Sequence, residues 1–135
     1  MEVNYLKKQH NEFESILQEL EQKLESEDKI VENAFSLTML IANIAGKLRI
    51  HLGSEDKYLY PKLLESPDQK VKTTAQEFIK EMGDLADTFE SYKSKYMNVK
   101  NIRTNPQDFI SETKSIIQAI TKRVEKEEQE LYTLL

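Results

Sequence analysis

Apolar positions recur at alternating spacings of three and four over four long stretches, with charged residues between them. That is the seam of a helix packed against neighbours in a bundle. The first stretch runs Leu6, His10, Phe13, Leu17, Leu20, Leu24, and the second runs from Leu37 through Ile41, Ile44 and Leu48 to His51, Glu55, Leu59 and Leu63. The third holds Phe78, Met82, Leu85, Phe89, Tyr92 and Tyr96, and the fourth runs from Phe109 through Thr113, Ile116 and Ile120 to Arg123, Glu127, Leu131 and Leu134. Three breaks separate them. ESEDK at 25–29 is polar without apolar periodicity, SPD at 66–68 offers Ser66 as N-cap with Pro67 at the first helical position, and NPQD at 105–108 repeats that grammar with Asn105 and Pro106. The pattern predicts helices near 2–25, 29–65, 68–98 and 106–134. Short connections make the fold all-α, an up-down-up-down antiparallel four-helix bundle.

Composition narrows the reading. A chain of 135 residues is expected to form a single domain over 1–135, and three Gly and three Pro leave little material for the turns of a β fold. The net charge of −5 argues against a nucleic-acid partner, which would need Lys and Arg to displace counterions from phosphates. Without cysteine there is no disulfide framework, thiolate metal site or thiol nucleophile. No stretch reads as a signal peptide or approaches the ~20 apolar residues of a membrane span. The expectation is a soluble, cytoplasmic protein with no membrane partner.

What the stripes leave unexplained is their polar members. A lone seam histidine is more often a hydrogen-bonded core residue than a ligand, but these residues are not scattered. HLGSEDKYLYPKLL from position 51 aligns without gaps on RVEKEEQELYTLL from 123, pairing His51 with Arg123, Glu55 with Glu127 and Tyr60 with Tyr132. The same offset lays the first helix on the third and pairs His10 with Met82. Two related helical hairpins would point these side chains into one part of the core, where unpartnered charges cost several kcal/mol. Two answers stand open. A metal could be held by His51 and Glu55, which share a helix face, with His10 and Glu127 reaching in from neighbouring helices. Alternatively the guanidinium of Arg123 could lie between the carboxylates, with Met82 filling the remaining volume. Tyr58, Tyr60 and Tyr132 are expected at helix faces, their hydroxyls near solvent or a polar neighbour.

LKKQH, HLGSEDKYLYPKLL and EKEEQELYTLL together resemble the haemerythrin-like (HHE cation-binding) family, whose motif is a lone His on helices one and three and His-x-x-x-Glu on helices two and four. The resemblance covers essentially the whole chain. It implies a bundle that binds two irons bridged by two carboxylates, used for oxygen binding, sensing or iron handling. Carried over, it makes His10 and His51 ligands of one iron and Glu55 and Glu127 the bridges. The second iron's histidines would fall at Met82 and Arg123, with a further one near Ala86, and none is present. The chain is therefore expected to be a haemerythrin-like bundle with a degenerate di-iron centre, a non-enzymatic binding or sensing module. In the occupied version it would hold one iron or other divalent metal through His10, His51, Glu55 and Glu127, and in the empty version none. The alternative is a metal-free interaction or regulatory bundle in which Arg123 salt-bridges the two carboxylates.

Overall fold

The computed structural model describes residues 2–135, and those residues form an antiparallel four-helix bundle with no strand among them. Its long helices are α1 (Glu2–Gln22), α3 (Ala34–Tyr58), α5 (Gln69–Tyr96) and α7 (Pro106–Lys126), joined through the short α2 (Glu27–Glu32), α4 (Tyr60–Leu64) and α6 (Val99–Thr104). α1 packs on α3, α3 on α5, α5 on α7 and α7 back on α1, closing the ring. The stripes read from the sequence are its interior: all their members are buried except Leu85 and Leu134, which are half-buried.

Caps and prolines set the boundaries. The side chain of Ser26 accepts from the backbone N–H of Lys29 to start α2, and that of Asn105 accepts from Asp108 to start α7, with Pro106 in its first turn. The cap of α5 differs from expectation. Asp68, not Ser66, accepts from Lys70, while Ser66 Oγ takes the Asp68 N–H in the turn before it. Asp68 is the residue with extended backbone directly before the helix, which is the geometry a cap requires. The second predicted helix is interrupted at Asn33 and again at Leu59. Pro61 explains the second interruption, because it has no N–H to donate to the carbonyl four residues back and its ring crowds that carbonyl.

α6 is absent from the sequence reading. Its six residues carry one apolar anchor, Ile102, which is fully buried against the end of the bundle, and one anchor makes no periodicity. Two apolar clusters fill the interior, one from Phe13 to Phe109 at the α6 end and a smaller one of Leu6, Leu59, Leu63, Phe78 and Leu131 at the other. Every long helix crosses between them through a polar residue or Met82. α1 does so at Gln9 and His10, α3 at His51 and Glu55, and α7 at Arg123 and Glu127. The functional question therefore concerns one layer of the core.

Candidate metal centre

His51 and Glu55 lie one turn apart on α3, so both face inward, and their nearest atoms, His51 Nε2 and Glu55 Oε2, are 3.4 Å apart. His10 enters from α1 with its Nε2 3.1 Å from His51 Nε2. Glu127, at the end of α7, brings Oε1 to 2.9 Å from His10 Nε2 and 3.3 Å from His51 Nε2. All four residues predicted from the sequence thus share the layer. His10, His51 and Glu127 form the convergent donor group, and Glu55 falls outside it.

The far side of each ring is tied down. Nδ1 of His10 is 3.0 Å from Glu128 Oε2, and a carboxylate only accepts, so Nδ1 carries the proton. Nδ1 of His51 donates to Gln9 Oε1 at 2.7 Å, and the Gln9 amide is oriented by donating to Ser54 Oγ, which itself donates to the Ile50 carbonyl. Each ring then turns its Nε2 toward the other and toward Glu127, as a lone pair whenever the ring is neutral. Such carboxylate- or amide-anchored imidazoles are how metal-binding histidines are held. Three inward lone pairs in a dry core demand positive charge, supplied by protons or by a cation. Burial pushes His51 down, but hydrogen bonds to Glu127 and Glu55 and their charges outweigh it and hold its pKa at about 9. Burial also opposes ionisation of Glu127, yet the hydrogen bonds from His10 and His51 keep it below the ordinary carboxylate range. Burial wins at Glu55, which is pushed up.

Of the two carboxylates in the layer, Arg123 bears on Glu127 alone. Its Nε donates to Glu127 Oε2 at 3.3 Å, Nη1 to Glu81 Oε2 at 3.0 Å and Nη2 to the Phe78 carbonyl at 2.6 Å, while the guanidinium lies over the Phe78 ring. The expectation that it salt-bridges both carboxylates therefore holds for Glu127 and fails for Glu55. The fork is already committed to α5, so Glu55 accepts from Tyr132 through Oε2 and leaves Oε1 without a hydrogen-bond partner. A buried carboxylate oxygen with no donor is a place where a cation would be welcome. Met82 is buried in the larger apolar cluster, as expected of a residue that fills core volume.

Tyr132 is the residue that the sequence reading missed. Its hydroxyl lies 2.9 Å from Glu55 Oε2, 3.1 Å from His10 Nε2, 3.2 Å from Glu127 Oε1 and 3.5 Å from His51 Nε2. Burial, reinforced by the charges of Glu127 and Glu55, raises its pKa, so the phenol keeps its proton here. Five residues after Glu127, an α-helix would turn this side chain about 140° away. Instead Glu127–Leu131 is a π-helical turn, closed by the Tyr132 N–H on the Glu127 carbonyl, and it brings both residues onto one face. The one hint in the sequence was the alignment of Tyr132 with Tyr60, which is also buried, whereas Tyr58 is exposed.

Two imidazole nitrogens and a carboxylate oxygen suit a borderline divalent cation. The edges of 2.9–3.3 Å between them match the roughly 3.0–3.4 Å that separates ligands sharing one ion at 2.0–2.2 Å. No curated protein and no solved structure is significantly similar to the chain. Its sequence does match the hemerythrin HHE cation binding domain over residues 1–135. Because that match spans the whole chain, the chain belongs to the haemerythrin HHE cation-binding family.

Proposed function

We propose that this domain is a non-enzymatic binding or sensing module that holds a single metal ion, with iron the first candidate, in a centre reduced from two metals to one. The observation that carries this reading is the convergence of His10 Nε2, His51 Nε2 and Glu127 Oε1, each within 3.3 Å of the others. These three would hold the ion, and Glu55 supplies the second carboxylate of the layer. Gln9 and Glu128 keep the two rings in the tautomer that presents Nε2. Arg123 holds Glu127 Oε2 away from the centre and, with Met82, takes up the volume of a second ion. When bound, the ion would neutralise the buried carboxylates and link α1, α3 and α7.

The test is metal content per chain by plasma mass spectrometry, on untagged protein purified without chelator and again after anaerobic iron(II) loading. One ion per chain, lost in His51→Ala, is the expected result. Two ions per chain would overturn the reading of Arg123 and Met82, and a His51→Ala variant that kept its metal would overturn the site. No metal under either condition would favour a metal-free bundle that works through its surface.

A further inference from the structure

We propose that Tyr132 is a ligand of this centre, completing a closed set of two nitrogens and two oxygens with His10, His51 and Glu127, and that Glu55 receives its proton. The inference rests on the metal-binding reading above and assigns the fourth position of the same site. It begins from the six separations among His10 Nε2, His51 Nε2, Glu127 Oε1 and Tyr132 Oη. Among the first three they are 2.9, 3.1 and 3.3 Å. From the hydroxyl they are 3.1, 3.2 and 3.5 Å. Six nearly equal edges describe a nearly regular tetrahedron. A tetrahedron of such edges has its centre about 2.0 Å from every corner, which is the bond length of a four-coordinate cation to imidazole nitrogen and carboxylate oxygen.

Hydrogen bonding alone does not account for this arrangement. Even with a second proton on one ring, the phenol and that ring bring two protons to the four atoms, and two protons cannot serve six edges. The phenol proton already has another acceptor in Glu55 Oε2 at 2.9 Å. Glu55 also stands outside the convergent group, on the line of retreat for the proton. With an ion held there, Tyr132 would bind as phenolate, its O–H proton would pass to Glu55 Oε2, and Glu55 as a neutral acid would donate a hydrogen bond back to the phenolate oxygen. The phenolate and Glu127 together would balance a dication, so the ion, its four ligands and the protonated Glu55 would sum to zero charge. A site with four protein ligands is closed, as in structural zinc centres, and leaves no position for an exogenous molecule. The ligand class is a single borderline cation, and its role is to lock the π-helical end of the fourth helix to α1 and α3.

The experiment loads the wild type, Tyr132→Phe and Glu55→Gln with cobalt(II) and with iron(III), and records stoichiometry, affinity and visible spectra. The wild type should take one ion, show the intense d–d bands of four-coordinate cobalt, and show a phenolate-to-iron charge-transfer band. Tyr132→Phe should lose that band and bind roughly tenfold more weakly or worse. Glu55→Gln, which cannot take the phenol proton, should keep the ion but develop the band only at higher pH than the wild type, and a wild-type band at the same pH would overturn the role of Glu55. If Tyr132→Phe does not fold, iron(III)-loaded wild type decides by itself, because absence of the charge-transfer band overturns the proposal. A Tyr132→Phe variant with unchanged or tighter binding would overturn the ligand role and leave the metal-binding reading standing. Wild type that takes no ion would defeat both.

Discussion

His10 and His51 hold their Nε2 atoms 3.1 Å apart, each with Nδ1 already engaged, by Glu128 and by Gln9 respectively. Two lone pairs at that separation in a dry core repel unless positive charge lies between them. Adding a cation that binds only the folded protein should therefore stabilise it, by about 2.7 kcal/mol at a free concentration of one hundred times Kd. Melting of chelator-treated protein with and without iron(II), zinc(II) or manganese(II) should show a rise on the order of 10 °C. Melting curves unmoved by all three ions would count against the site.

The partners behind the rings should matter nearly as much as the ligands. Gln9→Ala frees the His51 ring to take either tautomer, and Glu128→Gln removes the charge that anchors His10. Each should weaken metal affinity by about 10–100-fold with little change in stoichiometry at saturation. Isothermal titration of the two variants would reveal it, and wild-type affinity in both would mean that the rings are oriented by packing alone.

Arg123 is buried with all three of its donor nitrogens engaged. Arg123→Ala should cost about 3–5 kcal/mol in urea denaturation, because it leaves Glu127 Oε2 and the Phe78 carbonyl without their charged donor in the core. A loss within 1 kcal/mol would mean that water or Lys126 readily takes its place. Arg123→His should instead raise iron uptake above that of the wild type if the geometry of a second position persists beside Met82. Unchanged iron content would show that the position is lost.

The proton competes with the metal. His51 titrates near 9 in the metal-free centre, so at neutral pH it gives up a proton when it binds an ion, and metal affinity should keep rising with pH until about 9. Metal-free stability runs the other way. A folded pKa above the unfolded value of 6.5 makes the His51 contribution complete below 6.5 and drains it as pH climbs through about 9. The depressed Glu127 contributes fully above its ordinary value of 4.5 and loses that contribution only as pH falls toward its lowered one. Chelator-treated protein should thus be more stable to urea at pH 6 than at pH 9.5. The reverse order would mean that the two imidazoles are not held by these carboxylates.

The helical stripes were legible because burial of one face imposes its period on the sequence, and this is why Leu6 to Leu24 and Phe109 to Ile120 could be placed before any coordinates. His10, His51, Glu55 and Glu127 were legible for the same reason, as polar residues standing in register with apolar ones. Ser-Pro is a common helix start and points to Ser66 as the cap, but the backbone path gives the capping geometry to Asp68. α6 escaped notice because Ile102 is a single anchor.

Residue order alone gave away the four-helix bundle, the polar layer within it and the presence of Met82 and Arg123 in that layer. Those are properties of residue type and spacing along regular helices, where a 3.6-residue turn carries neighbours to known faces. Only the tertiary structure decided that Arg123 spends its donors on Phe78, Glu81 and Glu127 and does not reach Glu55. Only it placed the hydroxyl of Tyr132 among the ligand atoms. The physical reason is the π-helical turn at Glu127–Leu131, which breaks the period on which sequence reading depends and is held in place by what the side chains meet across the core.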